Sequence, residues 1–176
     1  MSPLRMIVRN SEAYFGEGNV AYEEKYWATA DALGLKMSGE AVPIYMELAN
    51  NKNTTYKIII SATATDEEKK AAAYLQDCVF KKTGATLPIC TENAVYPGHF
   101  EHAIMLGKNL ITKEFYKQGI DLTNRSYYVE ILGWCVFVDS DTDLVGAVQA
   151  FLDLCVRQGD NEGALEIISC KRVGQR

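Results

Sequence analysis

The chain has 176 residues, 48% of them hydrophobic and 23% charged, and its formal net charge is −5. That suits one globular domain with an extension, and it supplies enough apolar residues for a sizeable core. The acidic balance argues against nucleic acid and anionic membranes as partners. No apolar run approaches the roughly 18–20 residues of a membrane span, and the opening MSPLRMIVRNSEAYFG lacks the apolar core of a secretory signal. The expected location is therefore cytoplasmic, or outside the cytoplasm if a leader has been trimmed away.

Taken in chain order, VAYEEKYWATADALG (20–34) has the spacing of a helix with Trp27 and Leu33 inward, and VPIYMEL (42–48) has the look of a strand. ANNKNTT (49–55) is polar and turn-rich, a connector. Residues 1–50 are accordingly read as an N-terminal extension whose structure the pattern does not fix, and 51–176 as an α/β domain. YKIIISA (56–62) is a short β-branched run, the pattern of a buried strand. Thr65 followed by Glu68 is a capping box, and Ala72, Leu75, Cys78 and Val79 then recur on one helical face. Lys81 and Lys82 complement the dipole in the last turn, and Gly84 supplies the left-handed residue beyond it.

TLPICT (86–91) predicts a second strand, which Pro88 confines to an edge or to a strand start, because proline donates no ladder hydrogen bond. EHAIMLGK (101–108) predicts a third strand closed by Gly107, and LITKEFYKQG a short helix ending at Gly119. SYYVEILGWCVFVDS predicts a hairpin that turns at Leu132-Gly133. A second amphipathic helix follows near 142–157, with Leu144, Val148, Phe151, Leu152 and Cys155 inward, and it is closed by Gly159. ALEIISCKRV (164–173) predicts a last strand. Hairpins mixed with helical crossovers define an α/β (α+β) fold: a mixed β-sheet with two long helices, near 66–82 and 142–157, packed on it.

Motifs that would carry chemistry are sparse. His99 and His102 in HFEH fall on opposite faces of a strand, and the helical H-E-x-x-H of a metalloprotease is absent. Asp139, Asp141 and Asp143 begin like a calcium loop, but Leu144 and Ala150 stand where its glycine and bidentate glutamate belong, so helix capping accounts for them better. There is no phosphate-binding glycine loop and no G-x-S-x-G, and the five cysteines (78, 90, 135, 155, 170) have the wide spacing of buried thiols. Tyr127, Tyr128, Trp134 and Phe137 crowd the hairpin, where core packing competes with a sugar-stacking role. No residue is assigned a catalytic, cofactor-binding or metal-binding role, and no cofactor is expected.

Several of these pieces occur together in a known module. A helix carrying Ala-Ala and Leu leads into Thr83-Gly84-x-x-Leu87-Pro88-Ile89. A strand ending Leu106-Gly107 follows, then a Tyr-led strand with a glycine turn, then a helix carrying Phe151-Leu152. Over roughly residues 56–158 this resembles the non-catalytic α/β domain that precedes the catalytic barrel in glycoside hydrolases. The relatives are the family 20 β-hexosaminidases, the family 67 α-glucuronidases and related bacterial proteins. If the Phe-Leu pair aligns, the family's helix glycine falls on Asp143 and its tyrosine on Gly146, a departure from the pattern.

The resemblance implies the β-hexosaminidase accessory-domain fold, likened to zinc proteases without their metal site. It makes 51–176 the accessory domain and places the catalytic carboxylates in a barrel outside this chain. The implied partner is that barrel, with carbohydrate as a further candidate and with no nucleic acid and no membrane. A free-standing glycan- or protein-binding module is the competing expectation. A reading frame that runs on into a barrel separates the first from the second.

Overall fold

The computed structural model describes residues 45–92, 102–117, 119, 127–132, 134–168 and 172–175, together with Ala28 and Ala32, both helical. The rest of the helix expected over 20–34 lies outside the described residues. The elements are β1 (Tyr45–Asn50), β2 (Lys57–Ile60), α1 (Asp66–Thr83), β3 (Ile89–Thr91), β4 (Ala103–Leu106), α2 (Leu110–Lys117), β5 (Tyr127–Leu132), β6 (Cys135–Asp139), α3 (Leu144–Cys155), β7 (Val156–Gln158), β8 (Ala164–Ile168) and β9 (Arg172–Gln175).

Two sheets result. The larger has the order β3-β2-β4-β6-β5-β9, and the smaller is β1-β8-β7. In the larger sheet β3, β2, β4 and β6 run parallel, whereas β5 is antiparallel to both β6 and β9. The mixed sheet with two long helices expected from the sequence is therefore present. Pro88 immediately precedes β3, which is the edge strand, and its carbonyl accepts from Ile58 N–H at 2.8 Å. A proline at a strand start loses no ladder bond there.

α1 begins and ends as its sequence dictates. Thr65 Oγ1 accepts from Glu68 N–H at 3.1 Å, and Gly84 adopts φ +73° with its N–H on Phe80 O at 2.7 Å. Thr83 N-terminal to that glycine bonds Val79 O through its hydroxyl and accepts from Ala85 N–H. Lys52 N–H closes on Thr83 O at 2.9 Å, so the turn after β1 also caps this helix end. Leu75 and Val79 of α1 and Val148 and Phe151 of α3 share one core with Ile58, Ile60, Ile104, Leu106, Val136 and Val138 of the sheet. The alternate residues Ile59, Met105 and Phe137 are buried as well. Burial on both faces explains why these strands read as continuous apolar runs.

Several boundaries differ from the sequence expectation, and three of them change the fold. α3 stops at Cys155, not near 157: Val156 is already extended (φ −122°, ψ 134°) and pairs with Ile167. A β-branched residue takes a ladder position there in preference to another helical turn, and Gly159 N–H then closes the hairpin on Ala164 O at 2.8 Å. The single last strand expected over 164–173 is two strands in two sheets, β8 against β1 and β7, and β9 against β5. The strand expected over 42–48 is Tyr45–Asn50, and its partner is β8 from the far end of the sequence, with an irregularity between Glu47 and Ala49.

Candidate functional site

Strands β2, β3, β4 and β6 end on the same edge of the large sheet, and α1 and α3 start from it after β2 and β6. Ligands in open α/β sheets bind outside such carboxyl ends. This edge gathers several described polar side chains: Ser61 after β2, Glu92 after β3, Lys108 after β4, Asp139 at the end of β6, Asp141 beyond it, and Glu68 in the first turn of α1.

Glu68 completes the capping box. Its Oε1 accepts from the Thr65 hydroxyl at 3.3 Å, and the Thr65 backbone N–H also donates to the carboxylate. The same side chain lies over Gly107: a Cβ at Gly107 would stand 2.8 Å from Glu68 Oε2. Gly107 has φ +72°, where L side chains are disfavoured, and its N–H reaches Val138 O at 2.9 Å. Gly107 thus lets α1 approach the ends of β4 and β6. The glycine of the Leu-Gly pair serves packing as well as the turn.

Asp139 is only 4% exposed. Its Oδ1 accepts from Ser140 N–H at 2.8 Å, while Oδ2 is buried with no hydrogen-bond partner. Burial pushes its pKa up to about 6; the Ser140 N–H and Lys108 oppose the rise, and Asp141 and Glu68 add to it. Glu68 is raised for the same leading reason, burial, against its bonds to Thr65 and the charge of Lys108, with Glu92 adding to the rise. Lys108 Nζ lies 3.8 Å from Asp141 Oδ1. Ser61 Oγ is 3.4 Å from Glu92 Oε1 and 3.1 Å from Thr63 Oγ1. Glu68 Oε2 and Asp139 Oδ2 are closed to solvent. A substrate does not reach them in this conformation.

A groove of about 210 Å³ lies at the other end of the helices, lined by Cys78, Lys82, Leu152, Asp153, Arg157 and Leu165 among others. Most of its polar rim is already engaged. Arg157 bonds Glu166 at 2.9 Å and covers the Tyr45 ring, Gln149 bonds Asp153 at 2.7 Å, and Gln158 Nε2 is turned onto backbone carbonyls.

Of the residues singled out in the sequence, Asp139 and Asp141 fall at the strand-end edge and most of the others elsewhere. His102 has φ +55° and meets Tyr56 edge-to-face and Trp134 at a tilt, at ring separations of 5.2 and 5.1 Å. It is part of an aromatic cluster at the start of β4, while His99 and Glu101 lie outside the described residues. Asp143 is the N-cap of α3, accepting from Gly146 N–H at 2.9 Å, so capping accounts for that aspartate. Tyr128 and Phe137 are core, and Trp134 and Tyr127 pack against it. Cys135 and Cys155 are buried thiols, whereas Cys78 and Cys90 are half-exposed; Cys170 lies outside the described residues. Among the described residues no three His, Cys, Asp or Glu side chains converge as metal ligands, and no helix there is long and apolar enough to cross a membrane.

No protein-family model matches the chain, and no curated protein matches it. Solved structures do. One is a family 20 (GH20) exo-β-N-acetylglucosaminidase from Vibrio harveyi in complex with N-acetylglucosamine, with a TM-score of 0.45 at 13% identity. The match covers 75% of this chain and 17% of that one. An inactive mutant of the same enzyme matches with a TM-score of 0.44 at 12% identity over 76% of this chain, again covering 17% of its own.

Proposed function

We propose that this chain is a non-catalytic accessory domain of a glycoside hydrolase and packs against a catalytic barrel that the chain itself does not contain. The observation that carries the reading is the sequence pattern it shares with such domains, each piece of which has a defined place in the fold. Gly84 is the left-handed cap of α1. Leu87 is fully buried, and Pro88 delivers the chain to the edge strand at Ile89. Leu106 and Gly107 end β4 and receive Glu68 of α1. Phe151 of α3 fills the core between that helix and the sheet.

Catalysis of glycoside hydrolysis by retaining or inverting routes uses two carboxyl groups about 5–10 Å apart across an open cleft. The carboxylates gathered at the strand ends have their unpartnered oxygens buried, which fits a packing role better. The test is turnover of a panel of aryl glycosides by the purified chain. The expected result is no hydrolysis above buffer. Hydrolysis that scales with protein and disappears on a single carboxylate substitution overturns the reading.

A further inference from the structure

We propose that the free edge of β7 is a docking site for an extended segment of another protein, which joins the small sheet as a fourth strand and brings a carboxylate to Lys82. β7 is the end strand of the order β1-β8-β7. The groove of about 210 Å³ touches Val156, Arg157 and Gln158, the whole of that strand. Successive strand side chains alternate between faces, so a groove that meets three in a row runs along the strand's edge. Ladder geometry leaves this edge unsatisfied. Gly159 N–H bonds Ala164 O at 2.8 Å, and bonded pairs alternate with open ones in an antiparallel ladder. Arg157 opposite Glu166 is therefore the next bonded pair, and Gln158 opposite Leu165 turns its N–H and C=O outward. Among the described residues no turn or loop contact takes the Gln158 N–H. Arg157 and Gln158 are exposed, which leaves the edge open.

The rest of the groove selects the occupant. A small-molecule pocket holds roughly 300–1,000 Å³, so this smaller space suits one side chain of a bound strand and not a whole ligand. Leu165 is buried beneath it, and Leu152 and Val156 are half-buried at its wall, so the fitting side chain is apolar. The polar groups are mostly engaged within the molecule. Arg157 holds Glu166 at 2.9 Å, and Gln149 holds Asp153 at 2.7 Å. Gln158 Nε2 lies on the Asn161, Glu162 and Ala164 carbonyls at 2.6, 2.9 and 3.0 Å. Lys81 is paired with Asp77 at 2.7 Å. Lys82, the groove's other cation, has no ion pair among the described residues. Its charge is left for a carboxylate on the incoming strand. In strand addition, edge backbone bonds supply affinity and alternate side chains supply selectivity. A three-residue edge offers few such bonds, so binding is weak and depends on both contacts.

The probe is a blocked pentapeptide, acetyl-Val-Thr-Leu-Glu-Val-amide. It is titrated to about 1 mM against the full 176-residue chain and followed by amide NMR. Shifts are expected at Val156–Gln158 and Lys82, with slower exchange of the Gln158 N–H. The same peptide N-methylated throughout should not bind. Exchanging its glutamate for lysine should weaken binding about two- to fivefold, the value of an exposed ion pair, and Lys82→Glu should invert that preference. The peptide comparisons use the wild-type chain and stand without the variant. Absence of peptide-induced shifts at Gln158 overturns the proposal. So does equal binding of the N-methylated peptide, which means charge attraction alone, or equal binding of the lysine peptide, which removes the role of Lys82. Protection of the Gln158 N–H that rises with protein concentration in the peptide-free chain overturns it in favour of a second copy on this edge.

Discussion

Gly107→Ala isolates the contact that brings α1 to the strand ends. Two costs are expected. Alanine at φ +72° must hold a left-handed backbone, worth about 1–2 kcal/mol. Its Cβ would also stand 2.8 Å from Glu68 Oε2 and Cδ, so the carboxylate must move. Glu68 is not free to swing away cheaply, because Thr65 holds it through the capping box, and losing that arrangement costs about 1 kcal/mol. The sum is about 2–3 kcal/mol, measured as a shift in urea midpoint at unchanged slope. The two terms separate in a double-mutant cycle. In a Glu68→Ala background the backbone strain remains and the clash is gone, so Gly107→Ala should cost about 1 kcal/mol less than in the wild type. Strict additivity of the two substitutions would refute the claim that Glu68 and Gly107 are packed against each other.

The remaining predictions address charge, core and thiols. The Asp139 pKa is raised to about 6, so the folded state binds this proton more tightly than the unfolded one. Stability from this group is therefore lost as pH rises from about 4 through 6 and regained on acidification. Its size is at most about 3 kcal/mol, and Asp139→Asn should flatten that part of a urea-midpoint profile. Phe151→Ala should cost about 3–5 kcal/mol, since the ring is fully buried between α3 and the sheet; an unchanged denaturation midpoint would show that this face is not core. Toward a bulky thiol reagent the native chain should modify Cys78 and Cys90 first, with Cys135 and Cys155 reacting only on unfolding. Modification of Cys155 at the same rate as Cys78 would contradict the packing of α3.

Much of the fold was legible because local and tertiary preferences agree along α1, β2, β4, β6 and most of α3. The capping box at Thr65, the glycine at 84 and the proline before β3 each act locally, so the sequence alone reports them. The small sheet was not legible in the same way. β1 and β8 are about as far apart in the chain as the domain allows, and nothing local in Tyr45–Asn50 names a partner. Val156–Gln158 continues a helical pattern and becomes strand only because β8 offers it a ladder.

The strand-end carboxylates were hidden for a related reason. Glu68 already had a complete explanation as a cap, and Asp139 as part of an acidic run before a helix. Glu68 lies over Gly107 just past β4 and Asp139 ends β6, so only the parallel order of β4 and β6 brings them to one edge. The left-handed glycine closing an apolar strand was the available signal, and it reads equally well as a simple turn.

The accessory-domain reading is tested most directly by the length of the reading frame that encodes this chain. The account predicts a frame that continues beyond Arg176 into a catalytic barrel of a few hundred residues. A stop codon close to Arg176, in a protein that is expressed and folded as it stands, would contradict the account and favour a free-standing binding module.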